Sequence, residues 1–337
     1  MPAERPIDRW KPSPEPPKPN PFIIEKKESG LKLDIAGTSE GKEGRANNED
    51  AYMFDASRGL LCVADGMGGT RNAGMASKAA IESLATDAVK ATKVLKYQEI
   101  INSAPDKKLE DHDRVSVENR LKEYIYGVAG GRVRSQGGGG DTTISLAKLW
   151  TDNRGRRQLS VANLGDSRIY RFRKGRLDRL TRDQSLLENL MQEGLSDTDG
   201  KPIVDDKDVT RRFDLETVEK RAQKSGNFKS LSNFMKGEGM KNASIEEIRH
   251  FVTGGLQHGE MPDTSTYDTE PGDMVIAVSD GISDNLTDDE IAETLAQAGD
   301  AESASKMLRI RASMRSKDGT HPRSKPDDIT AVVMKIN

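Results

Sequence analysis

Leu60-Leu61-Cys62-Val63-Ala64-Asp65-Gly66-Met67-Gly68-Gly69 is the stretch whose reading decides the fold. Its five leading apolar residues read as a short, buried strand. The run ends in a carboxylate, and a glycine-rich turn follows. Glycine lets backbone come close to a small ligand because no side chain stands in the way. The alanine-rich stretch from Asn72 to Leu95 reads as a helix. A carboxylate at the end of a buried strand, beside a bare backbone carbonyl, suits a hard cation such as Mg²⁺ or Mn²⁺. Alone, Asp-Gly is also an ordinary turn. A second copy changes that reading: Met274-Val275-Ile276-Ala277-Val278-Ser279-Asp280-Gly281 is again an apolar run ending in Asp-Gly. A third run, Ile329 to Met334, starts directly after Asp327 and Asp328. Three strand ends carrying carboxylates, far apart in the chain, read as parts of one shared site.

Around these runs, 337 residues suffice for one large domain or two small ones. A net charge of -3 without a basic block gives no footprint of a nucleic-acid binder. Aromatic residues are only 4% of the chain, which leaves few platforms for base stacking. The single cysteine, Cys62, excludes an intrachain disulfide and reads as a small buried apolar residue. No stretch has the apolar length of a membrane span, and the N-terminus lacks a signal-peptide core. A soluble cytoplasmic protein is expected, with no membrane contact.

Residues 1–29 are rich in proline and read as a disordered arm; residues 30–337 read as one domain. Leu31 to Gly37 alternates as a half-exposed strand. Arg45 is a cation in the acidic stretch before the strand Ala51 to Phe54; it reads as a surface partner of Glu49 or Asp50, or as a phosphate fork. Asp113 to Arg134 reads as a helix weakened by Gly127, Gly130 and Gly131. Strands are expected over 141–150, 158–164 and 168–173, the last closing a hairpin at Lys174-Gly175. Asp166 reads as a turn aspartate, with metal binding as the alternative. Asp183 reads as a helix N-cap. Residues 186–259 form a polar, helix-like excursion, and 288–298 and 302–313 read as helices. Strand sets interrupted by helix pairs point to an α+β fold with a core of two sheets.

In this order the motifs resemble a known family. Arg45-x-x-Asn48-Glu49-Asp50, Val63-Ala64-Asp65-Gly66-Met67-Gly68-Gly69, Thr142-Thr143, Gly165-Asp166-Ser167-Arg168, Leu180-Thr181-x-Asp183, Ser279-Asp280-Gly281 and Asp327-Asp328-Ile329-Thr330 are similar to those of the metal-dependent protein phosphatases of type 2C, in their bacterial form. The resemblance spans about 31–336. It implies two antiparallel sheets packed as a sandwich with helices outside both, in four layers. It implies hydrolysis of phosphoserine and phosphothreonine by a hydroxide bridging two Mg²⁺ or Mn²⁺ ions. Asp65 and Asp280 would hold the metals, with Asp65 bridging, completed by the Gly66 carbonyl and Asp327. Asp50 and Glu49 would act mainly through metal-bound water, Asp328 would stand behind the ligands, Arg45 would hold the phosphate, and Asp166 would serve a weaker third metal. Implied partners are a phosphorylated protein and a cognate serine/threonine kinase, met by a monomer. A binding module without turnover, and a phosphatase of small metabolites, are the alternatives. Three features depart from the family. Met67 stands where many eukaryotic members carry a histidine general acid, Asp141 replaces a glycine before Thr142-Thr143, and 186–259 is longer than the usual flap beside the site.

Overall fold

The apolar runs become strands buried on both faces. The computed structural model describes residues 33–67, 72–86, 110–152, 154–185, 254–321 and 323–337, and the backbone of 23–24. Its strands are β1 (Ile23–Ile24), β2 (Leu33–Glu40), β3 (Asp50–Asp55), β4 (Leu60–Asp65), β5 (Ile144–Thr151), β6 (Arg157–Leu164), β7 (Arg168–Arg173), β8 (Arg176–Arg179), β9 (Asp263–Asp268), β10 (Met274–Val278) and β11 (Ile329–Ile336). Its helices are α1 (Ala73–Thr86), α2 (Glu110–Glu123), α3 (Gly131–Gln136), α4 (Asp280–Ser283), α5 (Asp288–Gln297) and α6 (Ala301–Lys317), with a π-helical segment, Tyr124–Gly130, joining α2 to α3. One sheet has the order β1-β3-β4-β5-β6-β9 and the other β2-β11-β10-β7-β8. Every pairing is antiparallel except the two-residue parallel contact of β1 with Phe54 and Asp55.

Alternation along each strand sorts its side chains into layers. Leu61 and Val63 of β4 and Val275 and Ala277 of β10 meet between the sheets, with Tyr52, Leu159, Val332 and Met334. Leu60, Cys62 and Ala64 face the other way, against Ile81, Leu84, Leu121 and Tyr124 of the first helix layer. Met274, Ile276 and Val278 pack on Ile291, Leu295 and Leu308 of the second. Strands covered on both sides need apolar residues at every position, which is why their sequences run rather than alternate. The result is the expected four-layer αββα sandwich.

Details refine the reading. The weak helix runs unbroken from Glu110 to Gln136, and its π-helical stretch falls where Gly127 and Gly130 lower helix propensity. Lys174 and Gly175 both take positive φ, 49° and 85°, the geometry of a tight hairpin turn. Asp183 spends its carboxylate on the buried guanidinium of Arg168, with oxygen contacts of 2.6–3.1 Å. The helix it was expected to cap, most of the 186–259 excursion and nearly all of the N-terminal arm lie outside the described residues. Burial pushes the Cys62 thiol up, as befits a packing residue. Among the described residues no helix is long and apolar enough to cross a membrane.

Candidate metal centre

The register places Asp50 directly opposite Asp65 at the ends of β3 and β4. Side chains so placed have Cβ atoms about 4.5–5.5 Å apart, and like charges there repel. Asp50 lies on the same face as Tyr52 and Phe54, and Asp65 on that of Val63 and Leu61. Both carboxylates therefore enter the space between the sheets at one end. The opposite sheet delivers to the same place. Ser279 follows Ala277 by two, and its hydroxyl donates to Asp50 Oδ2 at 2.7 Å. Thr330 N–H donates in turn to the Ser279 hydroxyl at 3.0 Å. Asp280 opens α4, and Asp327 and Asp328 precede β11.

Two glycines let these chains close up. A Cβ on Gly66 would lie 2.6 Å from the Ala73 carbonyl, and one on Gly281 only 1.9 Å from the Asp328 oxygen. Both glycines are thus close-packing positions rather than turns: Gly66 forms a β-bridge with Thr142, and Gly281 lies in α4. Thr142 and Thr143 fix the Asp65 backbone. Thr142 Oγ1 donates to the Asp65 carbonyl at 2.8 Å, and Asp65 N–H donates to Thr143 Oγ1 at 3.0 Å.

The charges show the cost of this convergence. Burial lifts the Asp50 carboxyl to about 8, opposed by hydrogen bonds from Thr330 and Ser279 and assisted by Asp328 and Asp280. Burial, then Asp50, Asp280, Asp327 and Asp166, holds Asp65 well above the usual carboxylate range. Asp166 is raised in the same way, by burial, Asp280 and Asp183. Asp280 reaches about 6 through burial, with Lys325 opposing and Asp327 and Asp284 adding. These carboxyls cannot all ionise together without a counter-cation. Asp50 Oδ1 and Asp280 Oδ1 are buried without a hydrogen-bond partner, which is the signature of oxygens meant for another ligand. The donor set is all oxygen, the chemistry that Mg²⁺ and Mn²⁺ prefer. The residues fit divalent ions.

Every site residue expected from the sequence is in or beside this cluster. Asp166, in the β6–β7 turn, is both a turn residue and a neighbour of Asp280. Arg45 pairs with Glu49 and reaches Asp328 Oδ2 at 3.3 Å, rather than pairing with Asp50. Asp328 is buried and also accepts from the Lys42 and Glu49 N–H groups at 2.6 and 2.9 Å. It thereby shapes the loop that carries Arg45.

Sequence reasoning missed Lys325 and Asp284. The Lys325 ammonium contacts Asp280, Asp284 at 2.8 Å and Asp327 at 3.2 Å. Among the described residues no three acidic or imidazole groups converge closely enough to hold a metal as they stand; a cation is already among them. Lysine two residues before Asp327, and a second aspartate one helical turn after Asp280, were the available signals. Asp141 also acquires a role. Its Oδ1 accepts from Gln257 N–H at 2.8 Å, and its Oδ2 lies 2.7 Å from His258 Nδ1. Its own carbonyl accepts from Met67 N–H at 3.0 Å. Asp141 thus ties residues 257–258 to the loop after Asp65.

No family model matches the chain. Serine/threonine protein phosphatase PstP of Mycobacterium tuberculosis is 25% identical over 309 residues, 91% of this chain and 45% of that protein. Serine/threonine phosphatase stp of Listeria monocytogenes is 30% identical over 159 residues, 47% of this chain and 56% of that protein. The chain spans about half the length of these curated relatives. Among solved structures, serine/threonine phosphatase Stp1 from Staphylococcus aureus matches with a TM-score of 0.61 at 20% identity, over 93% of this chain and 100% of that one. The PPM Ser-Thr phosphatase MsPP from Mycobacterium smegmatis matches with a TM-score of 0.55 at 21% identity, over 92% and 100%. In sequence the chain is related to bacterial serine/threonine phosphatases, and it has the fold of the metal-dependent protein phosphatases of type 2C.

Proposed function

We propose that the chain is a metal-dependent serine/threonine protein phosphatase. The observation that supports this most is the convergence of Asp50, Asp65, Asp280 and Asp327 from four separate strand ends, with two carboxylate oxygens left without partners. Asp65, Asp280, Asp327 and the Gly66 carbonyl would hold two Mg²⁺ or Mn²⁺ ions, with Asp50 beside them and Asp166 available to a third. When bound, such ions supply an activated water and neutralise charge on the phosphoryl group.

The protein's own groups do the rest. Ser279 fixes Asp50 by hydrogen bond, so one of its oxygens stays free for a ligand. Thr142 and Thr143 hold the Asp65 backbone still. Arg45 offers two parallel N–H donors to phosphate oxygens. Its pair with Glu49 is partly exposed, 34% and 22% for the two side chains, and such pairs are cheap to exchange for a phosphate. No covalent phosphoenzyme is needed, and Cys62 is buried away from the site. A groove of about 430 Å³ beside Asp327, lined by Glu40, Glu43, Lys317 and His321, gives the flank of a peptide substrate somewhere to lie. The proposed partners are phosphoserine and phosphothreonine proteins and the kinase that makes them, met in the cytoplasm by a monomer.

The test is phosphate release from a phosphothreonine peptide with Mn²⁺, with Mg²⁺ and with chelator, on wild type and Asp65→Ala. Release that needs metal and vanishes in the variant supports the reading. Folded, metal-bound protein that releases nothing would replace it with a phosphopeptide-binding module. A higher kcat/KM on phosphorylated metabolites than on peptides would move the substrate class instead.

A further inference from the structure

We propose that Lys325 is a resident cation of the metal centre: its ammonium neutralises the Asp280, Asp284 and Asp327 side of the cluster until a divalent ion displaces it. The inference rests on the metal-centre reading above. A lysine ammonium has three N–H donors; here it hydrogen-bonds Asp280 and Asp284 and makes an ion pair with Asp327. Asp280 Oδ2, Asp284 Oδ2 at 2.8 Å and Asp327 Oδ2 at 3.2 Å all face the same nitrogen. The four side chains are only 14–26% exposed, so solvent screens these pairs less than it would on an open surface.

The lysine cannot leave by moving its backbone. Its N–H donates to Asn285 Oδ1 at 3.0 Å, and its carbonyl accepts from Asn285 Nδ2 at 2.9 Å. Asn285 is fully buried and also donates to the Gly281 carbonyl at 2.9 Å. Pro326 stiffens the next residue. Only the four-carbon stem is free to swing. The Asn285 amide thus locks the loop of Asp327 to the turn of Asp280, and the ammonium hangs from that lock.

Lys325 holds Asp280 Oδ2 and Asp327 Oδ2 and leaves Asp280 Oδ1 open, so a divalent ion held by these two carboxylates would sit beside the ammonium, and two cations a few ångströms apart repel. Binding on this side therefore requires the lysine to undock. The apparent affinity falls by the fraction of time the site is open. Asp50 and Asp65 make no such contact with Lys325, so the cluster has one side without a competitor and one with it. Metal ions should accordingly fill the centre unequally, and the protein should tolerate metal-free conditions because part of its acid cluster is already neutralised.

The test is calorimetric titration of metal-free protein with Mn²⁺, alongside thermal unfolding in chelator and in Mn²⁺. Wild type is expected to show one tighter and one weaker site. Lys325→Met should tighten the weaker one about tenfold or more and leave the tighter one within about twofold. It should also melt lower than wild type in chelator and gain more on adding Mn²⁺. Should the single variant aggregate, Lys325→Met with Asp284→Asn removes one charge of each sign and carries the same comparison. Mn²⁺ binding unchanged in number and affinity in both variants would overturn the lysine proposal while leaving the metal centre intact. Folded wild type and variants that all fail to bind Mn²⁺ would overturn the metal-centre reading, and this one with it.

Discussion

Asp280 is held from three directions. β10 brings it to the open end of the sandwich, Gly281 lets Asp328 pack against it, and Lys325 balances one of its oxygens while the other has no partner. A neutral amide of the same shape keeps the packing and loses the charge. Asp280→Asn should therefore fold, bind Mn²⁺ more weakly, and lose kcat on a phosphothreonine peptide by a factor on the order of 10²–10³. Turnover and metal affinity at wild-type levels in that variant would remove Asp280 from the site. At this scale the sequence was readable where chemistry repeats: two Asp-Gly pairs after apolar runs, and a third carboxylate pair before one. It was unreadable where a residue's role comes from a distant partner. Lys325 acquires its role from Asp280 and Asp284, some 40 positions earlier, and Asp141 from His258, more than 100 positions later. Local hints exist for the first pairing, a lysine two residues before Asp327 and an aspartate one helical turn after Asp280, but no local pattern carries the second.

Elements were legible in proportion to their burial. β4, β10 and β11 are apolar throughout because both faces are covered, and such runs stand out. β9, Asp-Thr-Ser-Thr-Tyr-Asp, is an edge strand with no apolar run; its two threonines and tyrosine favour a strand, but its aspartates and serine are typical of loops, so its composition is ambiguous. The join between α6 and β2 was equally hidden. Glu40, at the end of β2, accepts from the Ser313 hydroxyl at 2.8 Å and pairs with Arg309 and Lys317 of α6. Burial alone would raise its carboxyl. The Ser313 and Lys317 hydrogen bonds and the charges of Arg309 and Lys317 outweigh it, and the pKa is lowered from the usual 4.5. A carboxyl depressed in the folded state stabilises fully above its unfolded value and loses that contribution as pH falls through its folded value. Glu40→Gln should thus cost about 1 kcal/mol near neutral pH. The gap to wild type should close as pH drops below about 4.5. Thermal melts from pH 7 down to pH 3 check this, and a gap that stays constant or widens in acid would mean that Glu40 is not what joins the two elements.

In the whole molecule, a site assembled from strand ends depends on the sandwich more than on any extension of it. The N-terminal arm tests that dependence. Its one described contact is β1, where Ile23 and Ile24 pair with Phe54 and Asp55. These lie at the far end of β3 from Asp50, and β3 is also held along its whole length by β4, from Asp50 opposite Asp65 to Asp55 opposite Leu60. Removing residues 1–29 takes away one short edge ladder, worth about 1 kcal/mol. It leaves Asp50, Ser279 and the inter-sheet layer with their partners. The truncated chain should melt only about 1–2 °C lower. Its kcat on a small phosphate ester should stay within about twofold of the full chain, because kcat there reports on the carboxylate cluster and Arg45 alone. A large fall in kcat with little change in melting would mean that the arm reaches the open end of the sandwich and takes part in the site. Stability lost together with activity would mean that β1 fixes the register of β3, and through it the placement of Asp50 against Asp65.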